Sequence, residues 1–170
     1  MSRPSKKRRE LMDALNAAMR EASGLGVLFS QEVARRLGIA STDLECLDYL
    51  GRGPLTAGAL AELTGLTTGA ITGVVDRLER AGLARRKRDA EDRRKVLVEA
   101  TAAAAGRVPP FFEPMERRAM AALAPYGEAE LALLLDFMRR ARDAASAAMA
   151  ELQAMPEPEA PADARRRLRG

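Results

Sequence analysis

Residues 54–100 constrain the fold more than any other part of the chain, because the hydrophobic period changes there from helical to strand-like. Leu60 and Leu63, three apart, read as a short helix, and Thr56 ahead of them is a natural N-cap. Gly65 and Leu66 make a tight turn. Thr67 then caps a second helix whose inner face is Ile71, Val74, Val75 and Leu78, and Gly82 ends it. Two short helices joined in this way read as a helix-turn-helix. The spacing next predicts a β-hairpin, with strands at 83–86 and 96–99. The intervening residues 87–95 are too polar to be core, so they form a wing.

The flanking segments are helical and longer than such a lobe requires. Leu11, Leu15, Ala18, Ala22, Leu25 and Phe29 recur at three and four, and Val33 and Leu37 extend the stripe to Gly38, which ends it. Gly24 and Gly26 weaken this helix and allow a bend. Thr42 with Glu45 makes a capping box for a short helix that turns Leu44, Leu47 and Leu50 inward, closed by Gly51, Gly53 and Pro54. Alanines restart a helix after Thr101, which Pro109, Pro110 and Pro114 interrupt or kink. The last long helix carries Leu131, Leu134, Leu135, Phe137, Met138 and Ala145 up to Leu152. Apolar stripes of this length are covered by a second subunit.

The fold class is therefore mainly α with a small β-hairpin: a winged helix-turn-helix between long N- and C-terminal dimerisation helices. Residues 1–9 read as a basic flexible tail and 10–155 as one regulatory domain. Within that domain the winged lobe spans about 42–100 and the dimerisation helices about 10–37 and 103–155, while 156–170 reads as a disordered tail. Leu11, Leu15, Leu25, Leu134, Phe137 and Met138 are the candidate dimer contacts.

Composition narrows the function. A chain of 170 residues without Trp must build its core from Leu, Ala, Val and Met. There is no His, no metal-spaced cysteine cluster and no phosphate-binding glycine loop, so nothing converges on catalysis, and no cofactor or metal is expected. Cys46 is the only cysteine and excludes an intrachain disulfide. It sits among apolar positions with no adjacent basic residue, and so reads as a small buried side chain rather than a redox sensor. No signal-like segment and no long apolar run occur, which points to the cytoplasm and away from membranes.

Net charge is +4, which favours an anionic partner. Part of the excess lies near the ends, in Lys6, Lys7, Arg8 and Arg9 and in Arg165, Arg166, Arg167 and Arg169, read as solvated tails or as weak phosphate contacts. The informative excess is local: residues 76–95 hold nine basic and five acidic side chains. Mixed charge alone fits a merely solvated hairpin, but a wing beside a helix-turn-helix can reach the groove next to the one its second helix fills. That helix opens with Thr67, Thr68, Gly69 and Thr72, small enough to let it sit deep in a major groove about 12 Å wide. Arg77, one to two turns later, is a candidate phosphate contact. In the wing the candidates are Arg88, Asp92, Arg93, Arg94 and Lys95. An acidic residue in a DNA-facing loop needs a reason, so Asp92 is expected to brace an arginine that enters the minor groove.

The motifs together resemble the MarR family, the multiple-antibiotic-resistance type of bacterial regulators. The run Ser41-Thr42-Asp43-Leu44 resembles the opening of the family's second helix, and Pro54-Leu55-Thr56 with Leu60-Ala61-Glu62-Leu63 resembles its third. The stretch from Ala70 through Val74-Val75-Asp76-Arg77-Leu78 to Leu83 is similar to its recognition helix, and Asp89-Ala90-Glu91-Asp92-Arg93-Arg94 to its wing signature. The resemblance implies a homodimer built from the first and last helices. It also implies a pseudo-palindromic double-stranded DNA operator, repression, and a small lipophilic or phenolic effector held between the dimerisation helices and the winged lobe. Here Glu99-Ala100-Thr101 stands where Leu commonly precedes the Thr, and the fifth helix holds three prolines. Two other readings are a low-specificity architectural DNA binder and a winged helix used for protein–protein contact.

Overall fold

A computed structural model of the chain describes residues 5–156. The first four residues, and all of the expected C-terminal tail but Pro156, lie outside them. The order of elements is α1 (Lys6–Leu37), α2 (Ser41–Leu50), β1 (Leu55–Thr56), α3 (Ala57–Thr64), α4 (Thr68–Arg80), β2 (Ala84–Arg88), β3 (Val96–Ala100), α5 (Ala102–Arg107), α6 (Pro109–Leu123) and α7 (Glu128–Ala154). Two compact units result, one ending at Glu116 and one beginning at Arg117.

The core of the first unit is the winged lobe. Ile71, Val74, Val75 and Leu78 of α4 are buried at helical spacing against Cys46, Leu47 and Leu50 of α2, Leu60 of α3, Leu83 just ahead of β2, and Ala84 and Val98 of the sheet. Leu63, the other apolar marker of this helix, is exposed, so α3 contributes chiefly Leu60 to the core. Threonines open three successive helices. The hydroxyls of Thr56, Thr67 and Thr101 accept from the backbone N–H of Ala59, Ala70 and Ala104 at 3.1–3.2 Å. Each satisfies one orphan donor of its helix, at about 1 kcal/mol per cap. Gly38, Gly65 and Gly82 take positive φ of 72°, 69° and 70° where their helices must turn away.

The hairpin is antiparallel, with Ala84 opposite Ala100, Arg86 opposite Val98 and Arg88 opposite Val96. Its strands run further than the sequence suggested. A third strand was not foreseen: β1 pairs with β3 through Leu55 and Thr56, giving the order β1-β3-β2. Two residues beside Pro54 carry no alternation to read.

Several helical boundaries differ from the sequence reading. Helix α1 takes in Lys6 to Arg9, with Ser5 as its cap, so these cations belong to its first turn rather than to a tail. It is a single element through Gly24 and Gly26. Helix α2 is capped at Ala40, whose N–H donates to the Asp43 carboxylate at 3.0 Å, not by a Thr42–Glu45 box. The prolines do not merely kink one helix. The chain breaks at Val108, α6 starts on Pro109, where a missing N–H costs nothing, and Pro114 lies within α6.

A second, smaller cluster forms where the end of α1 meets α2 and the start of α6: Val33, Ala34, Leu37 and Leu44, with Phe29, Phe111 and Phe112 against them. Phe29 and Phe112 meet edge to face at 5.6 Å between centroids. The second unit consists of the end of α6 and α7. No residue of α7 is buried, although it carries Leu133, Leu134, Leu135, Met138, Met149 and Leu152.

Candidate nucleic-acid interface

The outer face of α4 begins with small side chains. Thr68, Gly69 and Thr72 are exposed on its first two turns, and nothing lies within 4 Å of where a Cβ at Gly69 would stand. Thr67 holds the cap, and the Thr72 hydroxyl donates back to the Thr68 carbonyl at 3.0 Å. This face presents methyls, one glycine and a helix N-terminus, a shape that fits a groove and an electrostatic sign that suits phosphate.

Arg77 does not join it. Its guanidinium makes a forked pair with Asp43 of α2, Nε to Oδ2 at 2.9 Å and Nη2 to Oδ1 at 2.7 Å. Asp43 is fully buried while the Arg77 side chain is 43% exposed. Hydrogen bonding to that carboxylate raises the Arg77 pKa above its ordinary value. The candidate phosphate contact therefore also serves as a strut between α2 and α4. One carboxylate both caps α2 and holds the recognition helix.

The cations of the hairpin are sorted along its length. At the base, Arg86 ties β2 to α4: its guanidinium reaches Asp76 at 2.7 Å and also Glu79, and its backbone N–H donates to Glu79 at 2.8 Å. On the opposite face, Arg85 (2.8 Å) and Lys87 both hold Glu99, whose carboxyl they keep below the usual carboxylate range, Lys87 most. Further out, the side chains of Arg88, Arg93 and Arg94 have no partner among the described residues, and all three are exposed. Lys95 lies 4.0 Å from Asp92.

The wing loop is held by its own aspartates. Asp89 accepts from the N–H groups of Glu91 (2.7 Å) and Asp92 (2.9 Å), and these bonds lower its pKa. Asp92 accepts from the backbone N–H of Arg94 at 3.1 Å, while its own carbonyl accepts from Lys95 at 2.8 Å. The expected brace on an arginine guanidinium is therefore corrected: Asp92 fixes the loop backbone on which Arg93 and Arg94 stand. Local Asx turns outcompete a side-chain pair here because they cost less ordering entropy.

Cys46 is fully buried in the core, and burial pushes its thiol up to about 11, with Glu45 and Asp43 adding to the effect. A thiol so placed is a poor nucleophile. Micromolar peroxide is expected to leave DNA affinity unchanged in both the wild type and Cys46→Ser. The variant should lose about 1–2 kcal/mol through a buried hydroxyl. Peroxide-dependent release of DNA by the wild type alone would contradict this.

On another side of the first unit an open cleft of about 1310 Å³ lies between α1, α2, α5 and the start of α6. Its apolar wall includes Val27, Phe29, Leu44, Leu47, Phe112 and Met115. Among the described residues no single helix is long and apolar enough to cross a membrane, and no group of three potential metal ligands occurs.

Comparison with known proteins agrees with this architecture. A family model described as "MarR family" matches residues 37–95. The chain is 42% identical over 118 residues to YcgE of Bacillus subtilis (strain 168), named an uncharacterized HTH-type transcriptional regulator, covering 69% of this chain and 77% of that one. A MarR family protein from Bacillus stearothermophilus superposes with TM-score 0.64 at 21% identity, over 84% of this chain and 99% of that one. A MepR mutant of S. aureus bound to an oligodeoxyribonucleotide superposes with TM-score 0.54 at 19% identity, over 76% and 96%.

Proposed function

The chain belongs to the MarR family of helix-turn-helix transcriptional regulators, DNA-binding proteins without enzymatic activity, and from that premise we propose that it is a homodimeric repressor of a pseudo-palindromic operator. The observation that carries the reading is the sorting of cations. Arg86, through Asp76 and Glu79, holds the base of the wing to α4, and Arg88, Arg93 and Arg94 are left to meet an anion. Thr68, Gly69 and Thr72 at the start of α4 enter the major groove. An arginine of the wing enters the minor groove, and Arg88 and Lys95 neutralise phosphate. A solved relative bound to an oligodeoxyribonucleotide supports this use of the fold. Repression follows by occlusion of a promoter, and a small lipophilic effector in the cleft beside α1 and α2 relieves it.

Arg94→Ala is expected to weaken operator binding by about tenfold, and to reduce the salt slope by about one if the residue neutralises a phosphate. Asp92→Ala removes a negative charge from a surface that faces DNA, which electrostatics alone predicts to be favourable. It should instead weaken binding by several-fold, because the loop that presents Arg93 and Arg94 loses its internal bond and must be ordered on binding. A labelled operator titrated with each variant across several salt concentrations tests both. Equal or tighter binding by Asp92→Ala would remove the loop-ordering role.

A further inference from the structure

Resting on the reading of the cleft beside α1 and α2 as the effector site, we infer that its ligand is a lipophilic organic cation: an aromatic body carrying a quaternary or protonated nitrogen. The wall would accept any flat apolar molecule. What selects among them is the charge around it. The lining holds four carboxylates, Glu45, Asp48, Glu99 and Glu116, against one guanidinium, Arg52. Arg52 is committed: it pairs with Asp48 at 2.8 Å and its guanidinium carbon stands 5.4 Å from the Tyr49 ring centroid. Glu99 is held by Arg85 and Lys87. Glu45 and Glu116 remain, exposed on different walls of the cleft and without a partner among the described residues.

A phenolate or carboxylate entering here would find no uncommitted cation to pair with and two like charges to repel it. A cation would find the reverse. It would also find aromatic rings, since the edge-to-face pair of Phe29 and Phe112 leaves ring surface in the lining, and ring faces attract ammonium and phosphonium groups. The hydroxyls of Ser23 and Ser30 are neutral to the sign of the ligand. Because both glutamates are solvent-facing, their contribution is screened and moderate, and it declines with salt.

The test compares tetraphenylphosphonium, benzoate and a neutral aromatic, naphthalene, on the full-length protein. It follows binding by calorimetry and release of a labelled operator. Tetraphenylphosphonium is expected to bind at least tenfold more tightly than benzoate. Glu45→Gln with Glu116→Gln should weaken it about five- to tenfold while leaving naphthalene unchanged and benzoate unchanged or tighter. The two substitutions are isosteric and on the surface, so the fold serves as its own control through unchanged operator affinity without ligand. Benzoate binding as well as the cation, or a double variant that retains full affinity for the cation, would overturn the charge selection while leaving the effector site standing. Failure of all three probes to bind would overturn the effector reading itself, and the inference with it.

Discussion

Arg77→Ala is expected to destabilise the winged lobe by about 2–4 kcal/mol, because it leaves the Asp43 carboxylate buried and uncompensated. The upper end of the usual range for a broken buried pair is not reached, since the guanidinium side is 43% exposed and water can partly replace it. For a chain of this size the melting temperature should fall by roughly 5–15 °C. Asp43→Asn should cost less. An amide oxygen can still accept from the Ala40 N–H, so the cap survives and only the charge of the pair is lost. In a double-mutant cycle the two changes should be strongly non-additive, as for partners in one contact. Operator affinity should fall in both variants through misplacement of α4, with the salt slope unchanged. A slope reduced by about one in Arg77→Ala alone would instead return the residue to the phosphate backbone.

The second large effect is expected at the far end of the chain. Leu134→Asp with Met138→Asp places two charges one turn apart on α7, a helix with no buried residue and a row of exposed apolar side chains. In α1, Leu11 and Leu25 are likewise 62% exposed. Burying side chains of this kind contributes about 1.5–3 kcal/mol each, and a second copy of the chain is the partner expected to supply that burial at both segments. The double variant should sediment with the mass of one chain where the wild type shows two. Its operator affinity should drop by about a hundredfold or more, because two half-sites are no longer held by one binder. Helix content and the melting of the winged lobe should change little. A variant that remains dimeric, or a wild type that is monomeric at micromolar concentration, would exclude these faces as the interface.

The contrast between α4 and its strut shows what a sequence can display. The apolar face of α4 was legible because Ile71, Val74, Val75 and Leu78 repeat at helical spacing and Thr67 stands where a cap belongs. The partner of Arg77 was not, because Asp43 lies 34 positions away and contact between helices has no periodic signature. A signal did exist: Asp43 interrupts an otherwise apolar inner face beside Leu44, Cys46 and Leu47, and a buried carboxylate requires a cation. Similarly, the wing was visible as a polar loop between two short strand segments, but the role of Asp92 depended on loop geometry. The spacing of Asp89 and Asp92 favours bonds to their own backbone, and those bonds are the ones formed. Strand β1 escaped because two residues cannot alternate. The place of the cleft followed only from the family resemblance, because it is made by helices that the sequence assigns to separate tasks and no single segment marks its lining.

Sequence-specific recognition of duplex DNA by a dimer can be read from the affinity of the protein for a palindromic fragment recovered from its own genome. A scrambled fragment of equal length serves as the comparison, at one stated salt concentration near physiological. The genomic fragment is expected to bind about a thousandfold or more tightly, with two chains per fragment. Equal affinity for the two fragments would contradict it and leave a low-specificity architectural binder. Absence of binding to either would leave the winged helix to protein–protein contact.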